Sequence, residues 1–202
     1  MNNQSIVESY NQKAVERNSS SLQEWKVKER EKFLEYLLTE GCKSLLEIGA
    51  GPGKDSLYFK EQGLNTISTD ISPEMIKLCK KKGLDAEVMS FANLDYPDHY
   101  FDSIWALNCL LHVSRKEIKG VLAEIKRVLK PSGLLYIGVY GGRNQEGVWK
   151  DDHYNPKRFF SFYDDESIKQ LLAEFFIIEN FEVVPKETVG GDFHFQSVVL
   201  RK

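Results

Sequence analysis

Short apolar segments alternate with helical patterns along most of this chain, and that alternation constrains the fold more than any other feature. The segments Ser44–Ile48 and Phe101–Leu107 are rich in aliphatic, branched and aromatic residues, as buried strands are. After the second segment, apolar residues recur at helical spacing, at Ile118, Val121, Leu122, Ile125, Val128 and Leu129. Strands joined through helices form parallel sheets with helices on both faces. The sequence therefore predicts an α/β fold.

Seven strands are predicted, at residues 44–48, 65–69, 84–89, 101–107, 133–140, 177–184 and 193–200. Helices are predicted around residues 33–38 and at 54–62, 73–82, 118–129 and 164–173. No helix is predicted between the last two strands, so they should form an antiparallel hairpin at the edge of the sheet. The expected architecture is a three-layer sandwich with a seven-stranded, mostly parallel sheet and one antiparallel strand from the C-terminal hairpin.

The size and composition of the chain restrict its domain number, location and partners. It has 202 residues, enough for one domain, and its net charge of -3 argues against nucleic acid or an anionic membrane as a partner. Three cysteines without CxxC spacing and four histidines without HxxxH spacing predict reduced thiols and no metal site. Residues 1–5 lack the features of a secretory signal, so we expect a cytoplasmic protein. It is expected to be a monomer or a homodimer.

A glycine-rich turn follows the first predicted strand. It reads Glu47-Ile48-Gly49-Ala50-Gly51-Pro52-Gly53, with glycine at alternate positions. Such glycines permit a tight turn and let a ligand approach backbone N–H groups. Asp70 comes at the end of the second strand, where a carboxylate can accept both hydroxyls of a ribose. The turn and Asp70 together predict a nucleotide-like ligand, and the simpler alternative is a tight turn without a ligand.

The spacing of the glycines narrows the kind of nucleotide. A dinucleotide fingerprint, GxGxxG, needs a third glycine at the position that Lys54 holds. Glu47 lies within the strand, where a carboxylate suits a cationic ligand better than a pyrophosphate. These residues favour a sulfonium ligand with an amino group, and an NAD(P)-dependent oxidoreductase is the alternative.

The glycine motif, the acidic residue after it and the strand order resemble a class I S-adenosylmethionine-dependent methyltransferase, over residues 10–202. The resemblance implies a Rossmann-like fold, S-adenosyl-L-methionine as the cofactor and methyl transfer as the reaction. In that family the first motif wraps the methionine part of the cofactor, and the acidic residue binds its ribose. The implied cofactor-binding residues are Glu47, Gly49, Ala50, Gly51, Asp70, Ile71, Ser90, Phe91, Asn108 and Tyr10.

The family suggests individual roles for several of these residues. Ile71 would pack on the adenine, and Ser90 stands where many relatives have an aspartate near the adenine amino group. Ser90 alternatively does no more than cap its own loop. Asn108 begins a segment that resembles the family's fourth motif, between cofactor and substrate. Tyr10 begins one that resembles the Tyr-Asp-x-x-Ala element with which many small-molecule methyltransferases cover the cofactor.

His112 is the candidate catalytic base. It follows the strand Phe101–Leu107 at the mouth of the predicted site, and an imidazole can accept a proton near neutral pH. In many methyltransferases of this type the histidine at this place only packs or orients other groups. Both interpretations of His112 stay open.

Residues 141–163 form the longest segment without periodicity, at the sheet edge where the cofactor is predicted. Connections of this kind are usually lids or binding loops, so this is the expected substrate-side loop of a single domain, 1–202, whose N-terminal helical cap is 1–40. Its candidate substrate-binding residues are Arg143, Trp149, His153, Tyr154 and Arg158. Arg143 and Arg158 would suit an acidic methyl acceptor, whereas Asp151 or Asp152 would suit a basic one. The alternative is that Arg158 and the aspartates of this segment pair with each other.

A small molecule is the expected methyl acceptor. The chain has neither the Asn/Asp-Pro-Pro-aromatic signature of amino-methylating DNA enzymes nor a basic target-recognition region. A second alternative function is a non-catalytic partner subunit that binds the cofactor. A closed acceptor site would favour that alternative.

Overall fold

The computed structural model describes residues 3–202. Its helices are α1 (Asn3–Ser19), α2 (Glu24–Thr39), α3 (Lys54–Glu61), α4 (Pro73–Lys81), α5 (Ile118–Val128), α6 (Asp165–Ala173) and α7 (Lys186–Val189). Its strands are β1 (Ser44–Ile48), β2 (Asn65–Asp70), β3 (Asp85–Val88), β4 (Phe101–Leu107), β5 (Leu129–Gly141), β6 (Gln145–Val148), β7 (Phe159–Phe162), β8 (Ile177–Val184) and β9 (His194–Arg201). A turn of 3₁₀-helix, Leu110–His112, follows β4.

Seven of these strands form one sheet in the order β3-β2-β1-β4-β5-β9-β8. Strand β1 pairs in parallel with both β2 and β4, so the strand order reverses beside it. Strand β9 is antiparallel to both of its neighbours, β5 and β8. The predicted mostly parallel sheet with one antiparallel strand is confirmed. Such a reversal of strand order leaves a crevice at the carboxyl ends of the strands, where ligands bind in folds of this kind.

Alternate residues of the central strands are buried on opposite faces of the sheet, which gives the three layers. On one face Leu45 and Trp105 pack against Phe33 of α2, and Trp105 stacks on Tyr136 with ring centroids 3.9 Å apart. On the other face Leu46 packs in a cluster with the apolar sides of α5 and α6. Because successive side chains of a strand point to opposite faces, the central strands supply apolar residues to both layers between the sheet and the helices.

The segment 141–163 contains secondary structure that the sequence did not predict. Strands β6 and β7 pair antiparallel and form a second, two-stranded sheet. Each is four residues long, too short for a hydrophobic period to show. Phe160 and Phe162 stack with centroids 5.4 Å apart, and Trp149 packs edge-on against both. The predicted loop is therefore an ordered hairpin of residues 145–162, called the hairpin below.

A single helical turn, α7, lies between the last two strands, where the sequence predicted no helix. Its Val189 is buried in a cluster with Trp25 of α2 and Phe195 of β9. Only one of the four residues of α7 is buried, which gives no periodic signal in the sequence. Packing against distant residues therefore stabilises this helical turn. The antiparallel pairing of β8 with β9 at the sheet edge is as predicted.

The N-terminal helix α1 is held to the loops at the carboxyl edge of the sheet. The Ser72 hydroxyl, at the start of α4, donates to Asn11 Oδ1 (2.6 Å), and Lys82 Nζ donates to Asn18 Oδ1 (2.5 Å). Of the predicted cap 1–40, residues 1 and 2 lie outside the described residues, and most of the remainder forms α1 and α2. Within residues 3–202, no helix combines the length and apolar character needed to cross a membrane.

Gly49→Ala should destabilise the protein, because the turn after β1 has no room for a side chain. Gly49 has a φ of +66°, and an added Cβ would lie 2.3 Å from Cys109 Cβ. Gly63 is the matched control, because its φ is +90° but an added Cβ would meet nothing within 4 Å. We expect urea denaturation to show a loss of about 3–5 kcal/mol in unfolding free energy for Gly49→Ala and about 1 kcal/mol for Gly63→Ala. Equal losses would mean that contact with Cys109 does not constrain the turn.

Candidate active site

A cavity of about 490 Å³ lies at the carboxyl ends of β1, β2 and β4, and α1 covers it. It is lined by Ile6, Tyr10, Arg17, Gly49, Gly51, Asp70, Ile71, Ser90, Phe91, Ala92, Leu107, Asn108, Cys109, His112, Val113, Lys116, Glu117, Gly120 and Val121. The volume is within the range of about 300–1,000 Å³ that is usual for small-ligand sites. Every predicted cofactor-binding residue except Glu47 and Ala50 lines the cavity, and so does His112.

Asp70 connects the glycine turn to the start of α4. Its Oδ2 accepts a hydrogen bond from the Gly51 N–H (2.8 Å), and its Oδ1 accepts one from the Ser72 N–H (2.8 Å). Burial raises the pKa of Asp70, while these backbone donors oppose that rise. Each carboxylate oxygen has a second lone pair, so Asp70 can hold the turn and still accept hydroxyls from a ligand in the cavity.

Glu47 and Ala50 lie behind the cavity wall. The buried carboxylate of Glu47 accepts a hydrogen bond from the Ser56 hydroxyl of α3, and the Ala50 N–H donates to the Thr69 carbonyl (2.9 Å). Burial, and after it the nearby Asp55, raises the pKa of Glu47 well above its usual range. Both residues fasten the turn to its neighbours, and their direct contact with a cofactor stays a prediction.

Ile71, Ser90 and Phe91 line the cavity at the ends of β2 and β3. Ser90 also caps its own loop, since its hydroxyl accepts from the Ala92 N–H (3.2 Å) and its carbonyl from the Asn93 N–H (3.0 Å). Ser90 thus fulfils the loop-cap interpretation and lines the cavity as well. Contact with the cofactor remains a prediction for all three residues.

Both ring nitrogens of His112 are hydrogen-bonded. Nδ1 lies 2.8 Å from the Phe159 carbonyl oxygen, and Nε2 lies 2.6 Å from the Tyr10 hydroxyl. Because a carbonyl only accepts, we assign the proton to Nδ1, and Nε2 then accepts from Tyr10. Burial lowers the pKa of His112 to about 3. This geometry favours the orienting role of His112, because its one lone pair is already in use.

Arg158 joins the hairpin to this histidine. Its guanidinium donates to the Tyr10 hydroxyl (3.1 Å), and it pairs in bidentate fashion with Asp152 at 2.9 and 2.8 Å. Tyr154 lies against the guanidinium, whose carbon is 3.5 Å from the ring centroid. Arg158 and Tyr154, predicted to bind substrate, thus contact the cavity-lining Tyr10 without lining the cavity. The alternative in which Arg158 pairs with an aspartate of its own segment is the arrangement observed.

The other three predicted substrate-binding residues lie away from the cavity. Arg143 is placed over the Phe193 ring at 4.4 Å and the Trp149 ring at 5.7 Å. Trp149 packs with the phenylalanines of β7, and His153 is exposed. These residues lie in the same segment, 141–163, as Arg158, but the sequence does not indicate which side of the hairpin faces the cavity.

Arg17 is a cavity residue that the sequence analysis missed. It donates to the Tyr154 hydroxyl (3.2 Å) and its guanidinium carbon lies 5.4 Å from the Tyr10 ring centroid. Its Nε is buried, and no residue of the described chain 3–202 supplies a hydrogen-bond partner. Ile6, Tyr10 and Arg17 occur at intervals of four and seven residues on α1, which is a helical face. That spacing was the available signal.

The end of the cavity at α5 was missed as well. Lys116 and Gly120 line it, and an added Cβ at Gly120 would meet nothing within 4 Å. A glycine inside a helix carries a penalty of about 1 kcal/mol relative to alanine. It keeps this part of the cavity wall free of a side chain.

Residues 46–137 match the family model described as a methyltransferase domain. Over these residues the chain is similar to methyltransferase domains. The matched segment runs from β1 into β5 and contains Gly49, Asp70, Asn108 and His112. Helix α1 and the hairpin, which meet at Tyr10 and Arg158, lie outside it.

Curated proteins that are similar to this chain are longer than it. A demethylmenaquinone methyltransferase of Tropheryma whipplei is 34% identical over 97 residues, which are 46% of this chain and 40% of that protein. Phosphoethanolamine N-methyltransferase 1 of Zea mays is 26% identical over 147 residues, 69% of this chain and 29% of that protein. The chain thus spans less than half the length of either curated relative.

A solved structure shares the fold of the methyltransferase domain and its surroundings. It is the 1,6-didemethyltoxoflavin-N1-methyltransferase of Burkholderia thailandensis, with bound 1,6-didemethyltoxoflavin and S-adenosylhomocysteine. The match has a TM-score of 0.67 and 24% identity, and it covers 82% of this chain and 74% of that one.

His112 should make the protein less stable as the pH falls. Its pKa is about 3 in the folded protein and about 6.5 in the unfolded chain, so between these values the unfolded chain binds more protons. The resulting stability is complete above the unfolded pKa and is lost as the pH falls towards the folded one. We expect the unfolding free energy of the wild type to drop by about 2 kcal/mol more between about pH 7 and 5 than that of His112→Gln.

Urea denaturation at both pH values measures this difference. His153→Gln is the matched control, because His153 is exposed, and it should follow the wild type. If His112→Gln also follows the wild type, the imidazole is not buried in its neutral form.

Proposed function

We propose that this protein transfers a methyl group from S-adenosylmethionine to a small-molecule acceptor. The observation that carries the proposal is the hydrogen bond between the Gly51 amide and Asp70 at the cavity wall, because it joins the glycine turn to the carboxylate expected to bind a ribose. Arg17 Nε and Asn108 Oδ1 are buried atoms without partners among residues 3–202, in residues that line the same cavity. An open donor and an open acceptor fit a ligand with a carboxylate, an amino group and hydroxyls.

Each part of the proposed cofactor has residues suited to it. The turn at Gly51 lets the methionine part approach the backbone, and Asp70 has lone pairs for the ribose hydroxyls. Ile71 and Phe91 offer apolar surface to the adenine. Arg17, which lies near Gly51, suits the methionine carboxylate, because a buried guanidinium binds a carboxylate through charge-assisted hydrogen bonds.

Bound S-adenosylmethionine supplies the methyl carbon and the thioether leaving group. The chain contributes alignment, because α1 covers the cavity through Ile6, Tyr10 and Arg17. His112 keeps its proton on Nδ1 and holds the Tyr10 hydroxyl at Nε2. In this arrangement neither nitrogen is open to a proton from the acceptor.

A second candidate is a non-catalytic partner subunit that binds the cofactor. The hydrogen bonds of the cavity-lining Tyr10 with His112 and with Arg158 of the hairpin favour it, because they occupy polar groups that could otherwise bind an acceptor. Incubation with methyl-labelled S-adenosylmethionine and a metabolite mixture separates the candidates. Label in any small molecule would exclude the non-catalytic one.

We also propose a cytoplasmic location and a monomeric or homodimeric state. The free thiols of Cys42, Cys79 and Cys109 support a reducing compartment. The net charge of -3 supports a small molecule over nucleic acid as the acceptor.

Calorimetric titration tests the cofactor assignment. We expect micromolar binding of S-adenosylmethionine and S-adenosylhomocysteine and no binding of NADH. Asp70→Ala should weaken the first two by about ten-fold or more, since it removes charge-assisted hydrogen bonds to the ligand and loosens the turn. Asp98→Ala, a change at a surface carboxylate that pairs with Arg127, is the control and should bind as the wild type does. Binding of NADH alone would contradict the proposal.

Arg17→Met should weaken only ligands that carry the methionine carboxylate. We expect about ten-fold weaker binding of S-adenosylhomocysteine, whereas 5′-methylthioadenosine, which lacks that carboxylate, should bind within about two-fold of the wild type. Arg143→Met is the control, because Arg143 stacks on aromatic rings away from the cavity. Equal weakening of both ligands would show that Arg17 supports the cavity wall and does not bind the carboxylate.

A further inference from the structure

The proposed cofactor leaves one end of the cavity unused. Arg17, Asp70 and Phe91 line the parts that suit its methionine carboxylate, its ribose and its adenine. The lining continues with residues of the loop after β3 and of the start of α5, namely Ala92, Lys116, Glu117, Gly120 and Val121. The cavity therefore extends past the place proposed for the adenine.

The loop after β3 and helix α5 form the two walls of this end, and they are fastened to each other. The Leu94 N–H donates to Glu124 Oε1 of α5 (2.8 Å), and Arg127 Nη2 donates to the Leu94 carbonyl (2.8 Å). Glu124 comes about one helical turn after Gly120. These bonds thus hold the loop alongside Gly120, at a fixed distance from the helix.

This end of the cavity opens to the surface between two small residues. Ala92 of the loop and Gly120 of α5 line the cavity and are exposed, whereas Val121 is buried. A Cβ added to Gly120 would meet nothing within 4 Å in the part of the chain that the structure describes. Gly120 lies in the first turn of α5, and its φ is outside the left-handed region, so the backbone does not require a glycine there. What the glycine does is leave the opening clear.

The polar side chains at this end do not require an unsubstituted adenine. Ser90 stands where many members of the family that the sequence resembles have an aspartate, and its hydroxyl accepts from the Ala92 N–H (3.2 Å). The Glu117 carboxylate accepts from the Ser114 hydroxyl (2.5 Å). Both side chains thus hold their own segments. A substituent on the adenine amino group also leaves one N–H of that group for a hydrogen bond.

Resting on the proposed function, we propose that the site accepts adenosyl ligands with an apolar substituent on the adenine amino group, and that Gly120 determines whether they fit. The adenine keeps its proposed place, and its amino group faces the opening. The substituent lies between Ala92 and Gly120, where Val113 and Val121 of the cavity wall offer it apolar surface. Gly120 is in this proposal a specificity-determining residue at the cofactor end of the site.

N6-benzyl-S-adenosylhomocysteine tests the proposal, because it adds one apolar group to a ligand of the proposed cofactor site. We expect calorimetric titration of the wild type to give an affinity within about five-fold of that for S-adenosylhomocysteine. Gly120→Leu places a side chain in the opening. It should weaken the benzyl ligand by about ten-fold or more and S-adenosylhomocysteine by less than about three-fold.

Lys119→Leu is the matched control for this variant. Lys119 is the neighbour of Gly120 on α5, pairs with Glu174 at the surface and does not line the cavity. Lys119→Leu should therefore bind both ligands as the wild type does. Leucine favours a helix more than glycine does, so Gly120→Leu should keep α5 intact. Its binding of S-adenosylhomocysteine checks that it is folded.

The other outcomes distinguish this inference from the proposed function. If the wild type binds S-adenosylhomocysteine but rejects the benzyl ligand, the inference is overturned and the cofactor assignment stands. Equal weakening of both ligands by Gly120→Leu would show that the adenine itself reaches Gly120, which leaves no space for a substituent. Weakening of neither ligand would overturn the assignment of Gly120. If the wild type binds neither ligand, the proposed function fails and this inference fails with it.

Discussion

The carboxylate of Asp70 is the interaction on which the site depends. One of its oxygens holds the Gly51 amide of the turn after β1, and the other holds the Ser72 amide at the start of α4. Two loops that follow different strands are thereby fixed relative to each other at the cavity wall. Gly49 can then approach Cys109, in the turn after β4, so closely that a methyl group would not fit between them. The shape of the cavity floor follows from these contacts, which involve backbone groups more than side chains.

The cover of the cavity is built differently, from side chains that meet across long stretches of sequence. Tyr10 of α1 joins His112, which lies 102 residues further along the chain, and Arg158, which lies 148 residues further. Arg158 is balanced by Asp152, whose side chain is only 4% exposed, so the cluster buries a charge together with its partner. The family match ends before the hairpin and begins after α1. Gly49, Asp70 and Asn108 thus lie within the matched segment, whereas Tyr10 and Arg158 of the cover lie outside it.

The parts of the fold that were predictable from sequence are those with a long hydrophobic period. The bounds of Phe101–Leu107 and Ile177–Val184 agree with the prediction, because seven or eight residues of strand pattern leave little ambiguity. Strands β6 and β7 and helix α7 were missed, because four residues carry no period and their packing comes from distant partners such as Trp25.

The same distinction applies to the site. Gly49, Asp70 and Asn108 were predictable because each comes at the end of a strand, and the topology brings strand ends together. Arg17 was not, since its place depends on how α1 docks. Nor did the sequence indicate that Arg143 would face aromatic rings instead of the cavity.

Helix α1 is attached with little apolar surface, and this has a consequence for access to the cavity. Its buried apolar residues are Ile6 and Ala14, and many of its other contacts are polar, such as that between Asn11 and Ser72. Regions with few buried apolar contacts open locally at a free energy far below that of global unfolding. The amide hydrogens of α1 should therefore exchange with solvent faster than those of β1 and β4. The cavity can then exchange its contents by undocking one helix while the sheet stays intact.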